Sequence, residues 1–445
     1  MKIKNAVCYS FRLNDESLLA YVRLIGPLRR SGINIVNGIE NNKIIINRVS
    51  ETDMVIIQRE FPKKVDSYNN IIKLAHKEGK PVVFDLDDLL FYLPENHPDR
   101  QIAVYYGPSL LPMFQALMEA DLVSVSTPKL RDVLAQYHDN VVVLPNYFDD
   151  NLWRLTPPVL KNSSNGILTI GYMGTYSHKP DLEYITPVLL DLIKRYPQKI
   201  HFHFWGLQPP AELGSIPQVK WTPWYSDSYK NFAEFFQTQS ADIFIAPLVD
   251  NLFNRCKSPI KFFEYSALGA PGVFSRLDPY EDIVTHGHDG LLASSLDEWT
   301  DCLIQLVEND ELRFQLATNA QATIRENWLL SQNAFRREET FQSALDNISS
   351  NRKQNNGIVS IVKSINLQLF ETFNKKEAEQ LRTEAKVQQA EAKAQQAEAK
   401  AQQAEAKAQQ AEAVLNAVYS SRSWWWTAPL RWIVGRLRII RDQLR

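Results

Sequence analysis

Short apolar runs alternate with stretches in which apolar residues recur every three or four positions, a rhythm that begins at Lys4. The runs at 4–9, 33–36, 53–58, 81–85, 122–126 and 141–144 show almost no polar alternation, which predicts strands buried on both faces. Helical spacing fills the intervals. One helix ends near Arg30 and others span 68–78, 110–119 and 129–137, with Gly32 and Gly79 as stops. The alternation restarts at 167–173 and continues through 181–195, 200–205, 229–237, 242–246 and 272–275, then gives way to helices up to about Leu345. This repetition predicts an α/β fold of two doubly wound halves, each a parallel sheet covered on both sides. Such sheets take their ligands beyond the carboxyl ends of the strands, so the halves should face each other across a cleft.

The rhythm breaks where the Pro157-Pro158 pair and the polar KNSSNG at 161–166 predict a linker over 151–165. That places a first domain at 1–150 and a second at 166–345. Beyond it, 346–420 reads as a helical linker followed by a heptad tract, KAQQAEA repeating from Lys386 to Ala413. Alanines three and four apart would form a narrow coiled-coil seam, so the tract predicts a spacer or a homo-oligomer stalk. A lone, frayed helix is the alternative, since alanine seams bury little area. The final segment, 421–445, carries six arginines against one aspartate, a local charge of +5. A helix from Leu430 would gather Leu430, Ile433, Val434, Leu437, Ile440 and Leu444 on one stripe, with Trp424, Trp425 and Trp426 ahead of it. A basic, amphipathic, Trp-flanked helix suits a membrane interface. Packing of the stripe on the protein itself is the competing reading.

Composition adds a compartment. Hydrophobic residues make up 44% of the 445, ample for more than one core, and a formal charge of −2 gives no electrostatic case for nucleic acid. The three cysteines, Cys8, Cys256 and Cys302, are scattered and odd in number, against a disulfide framework. The first apolar run is too short for a signal peptide, and none approaches the ~18 residues of a membrane-spanning helix. The expectation is a cytoplasmic protein held peripherally at the inner face of the membrane by its tail.

The candidate chemistry centres on KSPIKFFEYSALGAPGVFS at 257–275. Ser258-Pro259 reads as an N-cap with proline at the first helical position, and Gly269 with Pro271 as the exit. Lys257 and Lys261 sit where the helix dipole already places partial positive charge. Free N–H groups, the dipole and two lysines make a site for a polyanion such as a diphosphate. Glu264 follows Lys261 at i+3, on the same face. The bland alternative is a solvated helix start.

In combination these strings resemble the nucleotide-binding domain of family-4 glycosyltransferases of the glycosyl transferases group 1 type, with GT-B architecture. The resemblance rests on ILTIGYMGTYSHKPDLE at 167–183, ADIFIAPL at 241–248, KSPIKFFEYSALGAP at 257–271 and GHDGLL at 287–292, and spans roughly 1–345. It implies two Rossmann-like domains, transfer of a sugar from a nucleotide-sugar donor with retention, and neither metal nor cofactor. Glu264 matches the second glutamate of the family's E-x7-E motif, which holds the ribose hydroxyls; a carboxylate suits a diol. Lys179, in the loop after Gly174, matches the lysine that neutralises the donor diphosphate. Cations fixed there stabilise the charge that grows on a leaving nucleoside diphosphate, and Lys257, Ser258 and Lys261 would serve it from the opening helix. Two positions depart from the pattern: Cys256 stands at the first glutamate and Thr175 at an arginine. Variants written K-S-x-x-K-x-x-E-Y look like a coherent subgroup rather than decay.

The acid cluster Asp85-Leu86-Asp87-Asp88 has three readings. It can hold a divalent metal as D-x-D, act as a phosphatase nucleophile, or face the cleft to position an acceptor hydroxyl. The third is favoured, making Asp85, Asp87 and Lys261 the candidate catalytic groups. His201 and His203 read as packing, and for His178 a diphosphate contact is the lesser of its readings. Arg23 and the loop at 12–17 read as an acceptor site; Trp221, Trp224 and Tyr225 can stack a base or pack. The functional expectation is a glycosyltransferase acting on a glycan or lipid-linked acceptor. The alternative is an inactive transferase-like domain that binds glycans or aids assembly on a coiled-coil stalk.

Overall fold

The computed structural model describes every residue except 1, 14–15, 102, 161–165, 225, 227, 347–355 and 444–445. Its residues fall into two units, Met1–Leu367 and Gln368–Arg445. The first unit contains two six-stranded sheets in which every strand pair is parallel. The first sheet uses β1 (Asn5–Tyr9), β2 (Asn34–Asn37), β5 (Met54–Gln58), β6 (Val82–Leu86), β7 (Leu122–Val125) and β8 (Val141–Val143), in the order β2-β1-β5-β6-β7-β8. A small hairpin of β3 (Ile39–Glu40) and β4 (Lys43–Ile44) interrupts the crossover to β5. The second sheet uses β9 (Leu168–Gly174), β10 (Ile200–Gly206), β11 (Val219–Thr222), β12 (Ile243–Ala246), β13 (Gly272–Ser275) and β14 (Leu291–Ala293), in the order β11-β10-β9-β12-β13-β14. Strand order reverses between β1 and β5, and between β9 and β12, so each sheet opens a crevice at its carboxyl edge.

Strand pleating sends alternate residues to opposite faces, and both faces are cores. In the first sheet Val55, Ile57, Val82, Phe84 and Leu86 pack under the helices Val65–Lys77 and Ala103–Glu119. Ala6, Cys8, Met54, Ile56 and Val83 point the other way, onto Leu24 and Leu28 of the helical segment 18–31. The middle of that segment, Tyr21–Ile25, is π-helical.

The last helix of the expected second domain belongs with the first. Phe341 and Ala344, on the helix Phe335–Asp346, join the core around Cys8 and Leu28, and the Ile3 amide donates to Gln342 Oε1 at 3.2 Å. Sequence spacing placed this helix at 166–345 because nothing local marks the direction in which a chain turns back. The long helix Asn356–Ser420 likewise begins on the first domain. Lys363 pairs with Glu119 at 3.4 Å, and Asn366 Nδ2 donates to Gln115 Oε1 at 2.7 Å. The expected helical linker ahead of the heptad tract is therefore anchored by the first three turns of this helix.

In the second unit that helix runs on to Ser420, and a short helix, Arg422–Trp426, follows with Ser421 as its N-cap. The helix Ala428–Gln443 carries the expected stripe, and Leu430, Ile433, Val434, Leu437 and Ile440 are all exposed. Leu444 lies outside the described residues. Arg431 stacks its guanidinium on Trp424 at 3.4 Å, fixing the corner between the two helices. Among the described residues no helix is long and apolar enough to cross a membrane.

Candidate active site

Asp85 shares its side of β6 with Val83, so pleating aims it at the helical segment 18–31. There it meets Arg23: Nη2 lies 2.7 Å from Oδ1 and Nε 3.3 Å from Oδ2, with both side chains sealed from solvent. Ser124 Oγ donates to Oδ1 at 2.6 Å, while Arg23 Nη1 reaches Asn146 Oδ1 at 3.1 Å and the Leu144 carbonyl. Burial alone would push the Asp85 carboxyl up; Arg23, then Arg337 and Ser124, outweigh it and hold the group below the usual carboxylate range. Both oxygens are engaged, and Arg23 is a core residue rather than the acceptor contact its sequence position suggested. Asp87 and Asp88, just past the strand end, lie at the cleft. Arg59, at the end of β5 with φ +43°, sits 3.6 Å from Asp87 and 3.7 Å from Asp88. Burial, reinforced by Asp88, pushes the Asp87 carboxyl up.

On the second sheet the site forms around the end of β9. The helix Ile260–Ala267 covers the face that carries Met173 and Phe244, and its exit Gly269 has φ +74°, as expected. Lys261 Nζ donates to the Met173 carbonyl at 2.7 Å, one residue before Gly174. Glu264 stands one turn deeper beside Tyr229, whose hydroxyl accepts from Trp153 Nε1 at 3.1 Å. Both charges are buried, at 9% and 5% exposure. Burial drives Lys261 down and Glu264 up, and each resists by attracting the other. The helix starts later than its sequence suggests. Pro259 is the N-cap and makes no side-chain cap, and Ser258 Oγ instead accepts from Asn146 Nδ2 of the first domain at 3.0 Å.

Lys257 holds its ammonium over the Phe253 ring, 4.8 Å from the centroid, and is half-buried. Below it His178 Nδ1 meets Asp181 Oδ2 at 2.8 Å. Burial, then Lys257, drives His178 down to about 4, so the ring is neutral. Asp181 Oδ1 also accepts from the Val249 amide and Asn254 Nδ2, both at 2.8 Å, which ties the segment after β12 to the first turn of the helix Lys179–Arg195. Lys179 stands apart: it is exposed and pairs with Glu183 along its own helix at 2.5 Å. Thr175 is exposed on the same loop. Cys256 does not face the cleft. It is fully buried against first-domain residues, and its carbonyl accepts from Thr127 Oγ1 at 2.9 Å.

Of the remaining candidates, His203 and Trp224 pack, whereas His201, expected to pack, is exposed. His203 lies on Trp205, centroids 3.8 Å apart, and bonds Thr222 at 2.8 Å, while Trp224 stacks on Phe235 at 3.8 Å. Trp221 is exposed, and Tyr225 lies outside the described residues. Among the described residues no group of three or more His, Cys, Asp or Glu side chains is placed to hold a metal. Sequence reasoning missed Arg59, Asn146, Tyr229 and His97. His97, in PENHPDR, is 4% exposed, and its Nε2 has no hydrogen-bond partner among the described residues; no motif marks it, and only its burial could have.

Residues 167–309 match a family model described as Glycosyl transferases group 1. Among solved structures the chain is similar to HepE from Anabaena in complex with UDP and glucose. The identity is 15% over 76% of this chain and 100% of that one, with a TM-score of 0.53. It is also similar to sucrose-phosphate synthase from Thermosynechococcus elongatus, at 11% identity, 77% and 99% coverage and a TM-score of 0.56. No curated protein matches the sequence. The architecture is that of GT-B proteins: two facing Rossmann-like domains, here followed by a long C-terminal helix.

Proposed function

We propose that this chain is a glycosyltransferase that moves a sugar from a nucleoside-diphosphate-sugar to a hydroxyl acceptor, with retention and without a resident metal. One observation carries the reading. Lys261 and Glu264 are buried together at the carboxyl edge of β9, in the half that matches the glycosyl transferases group 1 model. A buried lysine and glutamate destabilise a fold unless they are paired, and here both stand at the switch point where doubly wound sheets take ligands. Glu264 would receive the ribose hydroxyls. Lys261 and Lys257 would meet the diphosphate beside Gly174, where charge grows as the sugar leaves. Asp87 and Asp88, across the cleft, would accept hydrogen bonds from the incoming hydroxyl.

The exposed stripe and arginines of Ala428–Gln443 support work at an anionic membrane surface, hence a lipid-linked or cell-surface glycan acceptor. The heptad tract within Asn356–Ser420 would join copies or act as a spacer. A non-catalytic, glycan-binding reading draws on Cys256, which stands in the first-domain core and offers the donor sugar no carboxylate. Incubation with a panel of nucleotide-sugars separates the two. UDP-sugars head the panel because HepE was solved with UDP and glucose. Release of nucleoside diphosphate, lost in Glu264→Ala, supports the transferase; nucleotide binding without turnover supports the binding module.

A further inference from the structure

His97 sits on the loop that follows the acid cluster and is carried by the first domain, yet its ring also meets a side chain of the second. Its ring meets Phe253 edge to face, centroids 5.1 Å apart, and Phe253 is the same ring that holds the Lys257 ammonium. The short helix Pro98–Gln101, immediately after it, packs against the Tyr176–His178 turn that follows Gly174. One aromatic side chain therefore positions an imidazole and an ammonium at the edge of the loop after β9.

The hydrogen bonding fixes the tautomer. The Asp99 amide donates to His97 Nδ1 at 3.2 Å, so that nitrogen is an acceptor and the proton of the neutral ring resides on Nε2. Burial, then Lys257, keeps the ring neutral against the pull of Asp99. Nε2–H is thus a donor, buried and without a hydrogen-bond partner among the described residues. A buried donor of this kind costs stability unless something else satisfies it. The Asp99 carboxylate lies on the Nδ1 side, 3.8 Å from that nitrogen, while Asp181 is engaged with His178, Val249 and Asn254, and Asp88 with Arg59. With the Lys257 ammonium on the same Phe253 ring, the acceptor that fits is an anion.

We propose that His97 donates from Nε2 to the diphosphate of a nucleotide-sugar, completing from the first domain the anion site that Lys257 and Lys261 form in the second. The inference rests on the nucleotide-sugar reading above and deepens it. A donor on each side of the cleft makes diphosphate recognition depend on both domains, so a free nucleoside monophosphate would not engage His97.

Titration calorimetry with the full chain tests this, using the mono- and diphosphates of uridine, adenosine, guanosine, cytidine and thymidine. The wild type should prefer the diphosphate of one base. His97→Ala should weaken that diphosphate about ten- to hundredfold, the scale of a hydrogen bond to a charged group, and leave the monophosphate unchanged. His97→Gln, whose amide keeps an N–H donor, should recover most of the loss and guards against simple misfolding. Equal weakening of both nucleotides, or none in either variant, overturns the inference while leaving the nucleotide reading standing. Failure of every nucleotide on the wild type overturns both.

Discussion

Arg23 and Asp85 form an ion pair with no solvent contact, Nη2 2.7 Å from Oδ1, which joins the π-helical turn to the centre of the first sheet. Removing one partner strands the other charge in the core. Asp85→Ala should therefore destabilise the first domain by about 3–5 kcal/mol, whereas replacing both residues with leucine should cost far less. Chemical unfolding of the single and double variants reads the difference. The depressed Asp85 carboxyl makes this contribution present above the ordinary aspartate range and lost as pH falls through its own lower value. If Asp85→Ala unfolds at the wild-type midpoint, the pair is not structural.

Lys261 and Glu264 set a pH window for nucleotide binding. Glu264 is raised and Lys261 lowered, both chiefly by burial, so their titrations move toward each other. Ribose recognition needs the ionised carboxylate, and diphosphate recognition the ammonium. Affinity should fall on the acid side well above the ordinary glutamate value of about 4.3, and on the alkaline side below the ordinary lysine value of about 10.4. Glu264→Gln should flatten the acid limb and weaken binding. An affinity constant from pH 5 to 10 would remove both residues from the site.

Lys179 and Lys257 should differ in effect. Lys179 is exposed and bound to Glu183, while Lys257 is half-buried over Phe253 near Lys261. Lys257→Ala should weaken nucleoside diphosphate binding about tenfold or more, 1.4 kcal/mol per decade, and Lys179→Ala by less than about threefold, as expected for an exposed pair. The reverse order would mean that the loop after β9 rearranges on binding and carries Lys179 inward.

Gly206 closes β10 with φ +78°, and a Cβ there would come within 2.5 Å of the Gly174 carbonyl, which accepts from the Leu207 amide at 2.7 Å. Gly206→Ala should cost about 1–3 kcal/mol through backbone strain and displace the end of β9, so donor binding falls along with the melting temperature. Alanine at the exposed Gly214, which meets nothing within 4 Å, is the control.

Deleting 421–445 should abolish flotation with phosphatidylserine vesicles while nucleotide affinity stays at the full-length value. Each arginine near an anionic surface contributes about 1 kcal/mol, and this part weakens as salt screens it. Substituting Ile433, Val434 and Leu437 with serine should release the protein even at low salt. Unchanged flotation of the truncated chain rules the tail out as the anchor.

Much of the fold was legible because parallel strands buried on both faces leave unbroken apolar runs, as in VVFDL and IFIA. The Lys261-Glu264 spacing was legible for a similar reason: three residues on a helix fix a shared face whatever surrounds it. Ser258 was misread because a Ser-Pro pair caps equally well one residue early, and only Asn146, 112 residues away, claims its hydroxyl.

The sequence alone therefore determined what depends on near neighbours: the two α/β halves, the helix bearing Lys261 and Glu264, its Gly269 exit and the amphipathic tail. Tertiary structure decided what depends on distance along the chain. It turned Asp85 and Arg23 into a core pair, returned Phe335–Asp346 to the first domain, and set His97 beside Lys257 on the Phe253 ring. The physical reason is that hydrophobic periodicity encodes which face of an element is buried, while the partner that fills that face comes from elsewhere in the chain and leaves no local mark.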